Sequence, residues 1–362
     1  MFGKEILKNL TAYQQGKQIS EVKKELKLKN IVKLASNENP YGYSQNVNKL
    51  FSTNNLNLEI YPDGYATNIR QVLADKLEVS KDELVFGNGS DEIITLICRA
   101  FLEPGYNTVM AHPTFTQYRH HSLIEGATVS EVPTVDGYHD LDTMLEKVDQ
   151  KTNVIWICAP DNPSGTLISE SKLKSFLNQV PTRTIVVLDE AYYEFVSEEN
   201  KYDTNNLLNK YPNLIVLRTF SKAYGLAGLR IGYGIMNKEI AHKLNIVRGA
   251  FNTTRLAQEA AVIALEDEAF LNKVVSQNTK VKKDFVEFLK NNNFKVYDSE
   301  TNFILVQVPG KGNDAALQLL KQGYIVRSGE LLGYDDTIRI TIGLEEDMEN
   351  LKEVMLELKS QT

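Results

Sequence analysis

The chain is predicted to fold as an α/β protein, with a large domain built on a mainly parallel sheet flanked by helices and a smaller α+β domain beside it. Three observations predict this. From about residue 60 to residue 250, short apolar β-rich runs alternate with helix-length stretches, the pattern of parallel strands joined by helical crossovers. After residue 255 the order changes to long helical stretches and then strand-like runs, as in an α+β unit. At 362 residues, the chain is long enough to bury two such cores.

In the larger unit, strands are expected at residues 83–86, 108–111, 154–158, 184–188, 214–217 and 231–235, where apolar and β-branched residues run together between turn-formers. A helical region follows at 255–291, opened by Ala260-Ala261-Val262-Ile263-Ala264-Leu265. Further strands are expected at 303–308, 324–326 and 338–342, a helix at 314–321 and a last amphipathic helix at 345–358. The domain boundaries are set at 46–250 for the larger unit and at 1–45 with 251–362 for the smaller one. The turn-rich segment Ser36-Asn37-Glu38-Asn39-Pro40-Tyr41-Gly42 reads either as a plain connection or as a functional loop.

Composition excludes several classes. A formal charge of −7 argues against a nucleic-acid or anionic-membrane surface. No apolar run has the length of a membrane span, and the N-terminal residues lack the apolar core of a signal peptide. Two cysteines, Cys98 and Cys158, imply no disulfide framework, so a cytoplasmic protein is expected. None of the five histidines forms a pair with zinc spacing, the adjacent His120 and His121 included, so no metal is expected.

Chemistry is concentrated where the predicted strands end. In open α/β sheets, ligands bind beyond the carboxyl ends of the strands. Those ends carry Gly87-Asn88-Gly89-Ser90-Asp91, His112-Pro113-Thr114-Phe115, Ala159-Pro160-Asp161-Asn162-Pro163, Asp189-Glu190-Ala191-Tyr192 and Ser221-Lys222. Lys222 follows a buried strand, with hydroxyls before it and Arg230 eight positions on, which suits a Schiff-base lysine beside a phosphate pocket. The cofactor this suggests is pyridoxal 5′-phosphate. Gly89, Ser90 and Asp91 open a helix whose free N–H groups can receive phosphate oxygens, while Thr219, Ser221 and Arg230 add donors. Asp189 is the carboxylate for a protonated ring nitrogen, Tyr192 and Asn162 are donors for a ring oxygen, and Phe115 offers a flat face. Each has a plainer use as a cap, a turn residue or core; the ordered set carries the case.

A nicotinamide-dependent oxidoreductase is the competing class, because Gly87-x-Gly89 follows a strand. Glu92 occupies the sixth position of that would-be fingerprint, which also begins well inside the chain.

The blocks Asn162-Pro163-Ser164-Gly165, Asp189-Glu190-Ala191-Tyr192 and Ser221-Lys222-Ala223-Tyr224-Gly225-Leu226-Ala227-Gly228-Leu229-Arg230 resemble the fold-type I, class II pyridoxal-phosphate aminotransferases. Within that group, Asn9-Leu10-Thr11-Ala12-Tyr13, Leu34-Ala35-Ser36-Asn37-Glu38-Asn39-Pro40, Tyr61-Pro62-Asp63, Asp298-Ser299-Glu300-Thr301-Asn302-Phe303 and Arg339-Ile340-Thr341-Ile342-Gly343 resemble the histidinol-phosphate aminotransferases.

The resemblance implies transfer of an amino group from histidinol phosphate to 2-oxoglutarate by a ping-pong route, with Lys222 forming the internal aldimine and then moving the substrate proton. It further implies a homodimer in which Tyr61 reaches the cofactor phosphate of the other subunit. Tyr13, Asn37, Arg327 and Arg339 would contact substrate. An aromatic amino-acid aminotransferase or a phospho-amino-acid decarboxylase of the same fold would keep Lys222 and Asp189, so both remain open. Ala12 and Phe115 depart from the pattern, standing where the family often has proline and tyrosine.

Overall fold

The computed structural model describes residues 3–12, 16–28, 30–52 and 57–360. Its strands, in chain order, are β1 (Val32–Lys33), β2 (Leu84–Gly87), β3 (Asn107–His112), β4 (Thr128–Pro133), β5 (Thr152–Cys158), β6 (Ile185–Asp189), β7 (Leu214–Thr219), β8 (Gly232–Met236), β9 (Phe303–Gln307), β10 (Tyr324–Ile325), β11 (Arg327–Ser328) and β12 (Thr337–Thr341). Seven of them form the large sheet, in the order β2-β8-β7-β6-β5-β3-β4.

Neighbouring residues along these strands point to opposite faces, so a sheet covered on both sides needs unbroken apolar runs. In β5, Val154 and Trp156 pack with the helices Ser90–Phe101 and Lys238–Val247, whereas Ile155 and Ile157 pack with the helix Glu170–Leu177 on the other face. That double burial is why the central strands were legible in the sequence.

Two features of the sheet differ from expectation. β8 is antiparallel to both its neighbours, β2 and β7; apolar content reports burial and carries no strand direction. β4 was absent from the expected strands because it is an edge strand, parallel to β3, in which only Val132 is buried. With β8 reversed, β2 runs parallel to β3, β5, β6 and β7, and the carboxyl ends of these five strands lie on one edge.

The smaller unit holds the antiparallel sheet β11-β12-β9 and the helices Glu268–Asn291, Gly312–Lys321 and Glu345–Ser360. Their shared core includes Phe285, Ile304, Leu319, Ile340 and Met355, and takes in Leu34 from the N-terminal segment. That segment is stitched in by β1, which pairs with β10, and by the Thr341 amide, which donates to the Leu34 carbonyl at 2.9 Å. The helical region expected at 255–291 is two helices, divided at Asp267, whose side chain caps the second.

The boundary expected at residue 250 falls one helix short. Ala257, Ala260, Ala261 and Ala264 of the helix Arg255–Glu266 share a core with Ile69, Leu73, Phe86 and Tyr233 of the larger unit. Small side chains let that helix lie close against its neighbours, and the core of the smaller unit begins with Val281. Among the described residues, no helix is long and apolar enough to cross a membrane.

Candidate active site

A cavity of about 350 Å³ opens where the strand ends of the large sheet face the small sheet and the N-terminal segment. Lys222 lies in its wall, three residues beyond Thr219, whose pairing with Gly232 is the last between β7 and β8. Its Nζ donates to the Ser36 carbonyl at 3.2 Å and sits 5.7 Å from the Tyr192 ring centre. Burial, with Arg339 nearby, pulls the amine down to about 8 against weaker attraction from Asp91 and Glu38.

At one end of the cavity the loop after β2 turns through Gly89 into the helix Ser90–Phe101. Gly89, not Ser90, is the cap residue, with φ +76°, a conformation that favours glycine. A side-chain carbon there would also come within 2.7 Å of Arg230 Nη2. Arg230 Nη1 donates to Ser221 Oγ at 3.4 Å, Thr219 Oγ1 donates to Ser221 Oγ at 3.0 Å, and Arg230 Nη2 lies 3.6 Å from Asp91 Oδ2. Helix N-terminal amides, two hydroxyls and a guanidinium thus face one corner, a combination suited to a phosphate group.

Asp189 is the last residue of β6 and is 3 % exposed. Its Oδ2 accepts from the Tyr118 hydroxyl at 2.7 Å and its Oδ1 from the Ala191 amide at 3.1 Å. Burial outweighs both bonds and pushes the carboxyl up to about 6. Among the described residues, no cationic side chain forms an ion pair with it. A carboxylate this deep, lining the cavity without a cation, fits a ligand that brings its own positive charge.

The next residue faces the other way. Glu190 Oε2 accepts from Arg218 Nε at 2.9 Å, and Thr204 Oγ1 donates to Glu190 Oε1 at 3.2 Å. This buried pair joins β6 to β7 just below the rim, holding Asp189 and Ser221 at a fixed separation.

Tyr192 and Asn162 are each oriented by a partner from the smaller unit. Asn37 Nδ2 donates to the Tyr192 hydroxyl oxygen at 2.9 Å, which leaves the phenol proton to be donated elsewhere. Asn37 is itself fixed by Thr341, whose Oγ1 accepts from the Asn37 amide at 2.9 Å. Arg339 Nη1 donates to Asn162 Oδ1 at 2.5 Å, and Nη2 to the Ala35 carbonyl at 2.8 Å. With its oxygen engaged, Asn162 keeps its NH₂ as a donor. Both side chains are therefore set to give hydrogen bonds, as an oxyanion on an aromatic ring requires. Phe115 also lines the cavity, half-buried, with its ring at 5.5 Å from that of Tyr118.

Arg327 and Arg339 are cross-strand partners on β11 and β12, so their side chains leave the same face, and both border the cavity. A second cavity of about 420 Å³ continues past them and is walled by Thr11, Gln117 and His120. Tyr61 is the expected site residue that lies apart: it is 76 % exposed and stacked on Phe251 at 4.7 Å. Tyr13 lies outside the described residues.

Sequence reasoning missed Tyr118, Ser36 and Cys158. Ser36 meets Lys222 across 186 positions of chain, and Tyr118 meets Asp189 across 71. Only the folded chain brings such pairs together; Cys158, the last residue of β5, could have been found by the same strand-end rule that found Asp189.

Residues 29–355 match the profile of the family described as aminotransferase class I and II. The chain is 52 % identical over 356 residues to histidinol-phosphate aminotransferase 2 of Oceanobacillus iheyensis, covering 98 % of both chains. It is 50 % identical to the histidinol-phosphate aminotransferase of Bacillus subtilis, covering 98 % of this chain and 99 % of the relative. Its fold superimposes on the crystal structure of histidinol-phosphate aminotransferase from Sinorhizobium meliloti in complex with pyridoxal-5′-phosphate, with a TM-score of 0.89, 25 % identity and coverage of 99 % and 98 %. The chain belongs to the class I and II aminotransferases and, within them, to the histidinol-phosphate aminotransferase family.

Proposed function

We propose that this chain transfers the amino group of L-histidinol phosphate to 2-oxoglutarate, yielding imidazole acetol phosphate and glutamate for histidine biosynthesis, with pyridoxal 5′-phosphate held in the cavity described above. The observation that carries the cofactor is the pairing of a buried, cation-less Asp189 with the buried amine of Lys222 on one wall. When bound, the cofactor supplies a protonated ring that draws away the electron pair left when a proton departs from the amino-bearing carbon.

The protein's own part follows from the geometry. Ser90, Asp91, Thr219, Ser221 and Arg230 surround the corner suited to the cofactor phosphate, with the side chain of Asp91 balancing Arg230. With the cofactor bound, Asp189 would hold the proton on the ring nitrogen, Asn162 and Tyr192 would donate to the ring oxygen, and Phe115 would cover a ring face. Lys222 moves the substrate proton. Its depressed pKa keeps a usable share of neutral amine near neutral pH.

Arg327 and Arg339 suit both amino partners. A guanidinium accepts a phosphate and a carboxylate with the same fork of donors, so one pair of arginines can serve histidinol phosphate in one half-reaction and glutamate in the other. Asn37 acts through Tyr192 and also borders the site; Tyr13 belongs to the same proposal as a substrate contact. A homodimer is part of it too. Leu58, Ile60, Tyr61, Tyr65 and Phe251 are all exposed in the single chain, an apolar surface that a second copy would cover, with Tyr61 reaching the neighbour's phosphate corner.

The test is a half-reaction. Protein loaded with pyridoxal 5′-phosphate and given histidinol phosphate without an oxo acid should convert to the pyridoxamine form and release imidazole acetol phosphate; 2-oxoglutarate should then reverse the spectrum. An unchanged spectrum with histidinol phosphate, beside a rapid change with an aromatic amino acid, overturns the substrate assignment. A monomer by sedimentation in the loaded state overturns the dimer.

A further inference from the structure

Tyr118 lies in the helix Gln117–Ile124, is fully buried and does not border the cavity. Buried tyrosine hydroxyls need a partner, and a main-chain carbonyl is a common one; Tyr202, for example, donates to the Ile168 carbonyl at 2.6 Å. Tyr118 instead donates to Oδ2 of Asp189 at 2.7 Å. Its ring is clamped. Trp156 stacks on it with centroids 4.9 Å apart and planes 9° apart, and Phe115 meets its edge at 5.5 Å and 77°. Among the described residues, the buried indole N–H of Trp156 has no hydrogen-bond partner.

We propose that Tyr118 is a positioning residue for the transamination: its hydroxyl fixes one oxygen of the Asp189 carboxylate, so that the charge is presented to the cofactor's ring nitrogen in a single orientation. This rests on the placement of pyridoxal 5′-phosphate proposed above. Two fixed donors, Tyr118 on Oδ2 and the Ala191 amide on Oδ1, define the plane of the carboxylate. Tyr118 also links that plane to the stacking face, since Phe115 rests on its ring three positions earlier in the chain. One short stretch of chain would thereby orient both the stacking face and the carboxylate that serve the cofactor ring.

Electrostatics agree with the geometry. The titratable groups facing Asp189 are Tyr118, Cys158, Tyr192, Asp91 and Glu190. Asp91 and Glu190 repel its charge and burial disfavours it, whereas the Tyr118 bond is the largest influence acting to keep it ionised. Tyr118 and Cys158 are themselves pushed well above their ordinary values by burial, so both stay neutral beside it.

The variant is Tyr118→Phe, which keeps the stacked ring and removes only the hydroxyl. In cofactor-free protein, the ¹³C-carboxyl titration of Asp189 should move up by about one to two pH units, the worth of a hydrogen bond to a charged group. In the loaded enzyme, kcat should fall about tenfold, a one-unit effect expressed as rate, with KM for histidinol phosphate changed by less than about twofold. The comparison variant is Tyr202→Phe, which also loses a buried hydroxyl bond; it should leave both the Asp189 titration and kcat as they are. An unmoved Asp189 titration in Tyr118→Phe overturns the proposal, as does a moved titration with unchanged kcat, or an equal loss of kcat in Tyr202→Phe. Failure of the wild-type protein to take up pyridoxal 5′-phosphate would sink the cofactor assignment instead, and the titration in cofactor-free protein still decides whether Tyr118 governs the carboxylate.

Discussion

Replacing Asp189 by asparagine should stabilise the cofactor-free protein at pH 8 while impairing it as a catalyst. The carboxyl is 3 % exposed and is pushed from 3.8 to about 6, mainly by burial. Its folded pKa lies above its unfolded one, so the folded state binds the proton more tightly. Stability is therefore greatest below about pH 4, falls as pH rises through the window from 3.8 to about 6, and stays at the lower level above it.

A shift of roughly two units corresponds to about 3 kcal/mol against the folded state at pH 8. Asparagine keeps the shape and drops the charge, but its single oxygen cannot accept from both Tyr118 and the Ala191 amide as the carboxylate does, a loss of about 1 kcal/mol. The expected net is about 2 kcal/mol in favour of Asp189→Asn at pH 8, shrinking to near zero by about pH 4.5. Urea unfolding of both proteins at the two pH values measures it. An asparagine variant that is less stable by the same amount at both would refute the idea that Asp189 is a buried charge awaiting a cation. Added pyridoxal 5′-phosphate should reverse the order at pH 8, because a ligand bound only by the folded state stabilises the better binder more.

Lys222→Ala should lower transamination by at least about 10²–10⁴-fold, the range general acid–base catalysis contributes, with near-normal turnover excluding its role as proton carrier. In the wild-type protein, the rate at which Lys222 reacts with an added aldehyde should rise with pH and level off above about 8, where the amine is neutral; a midpoint near the ordinary lysine value would contradict its burial. Gly225 has φ +73°, and a side-chain carbon there would fall 1.9 Å from the Gly42 carbonyl oxygen. Gly225→Ala should therefore cost more than about 2 kcal/mol by urea unfolding, whereas Gly228→Ala, with open space around it, should stay within about 0.5 kcal/mol.

How far the sequence could be read depended on whether a residue's role was fixed by its own strand or by a distant partner. Asp189, Lys222, Gly89 and Asn162 sit where buried apolar runs end, and a run that is apolar on both faces marks a strand covered on both sides of its sheet wherever it occurs. The strand-end rule then places their loops on one edge without any knowledge of strand order. β4 escaped because its exposed face breaks the run, and the reversal of β8 escaped because burial has no direction.

The settings of the functional groups escaped for a different reason. Tyr192 is turned by Asn37, Asn162 by Arg339 and Asp189 by Tyr118, over separations of 155, 177 and 71 positions. Each of these bonds decides which end of a side chain faces the cavity, and the first two cross between the larger and smaller units. The groups that do the chemistry are thus written locally, but their orientation is written in contacts between units. A change in how the smaller unit sits on the larger one must therefore alter the donors to the ring oxygen, while leaving Asp189 and Tyr118, both within the larger unit, as they were.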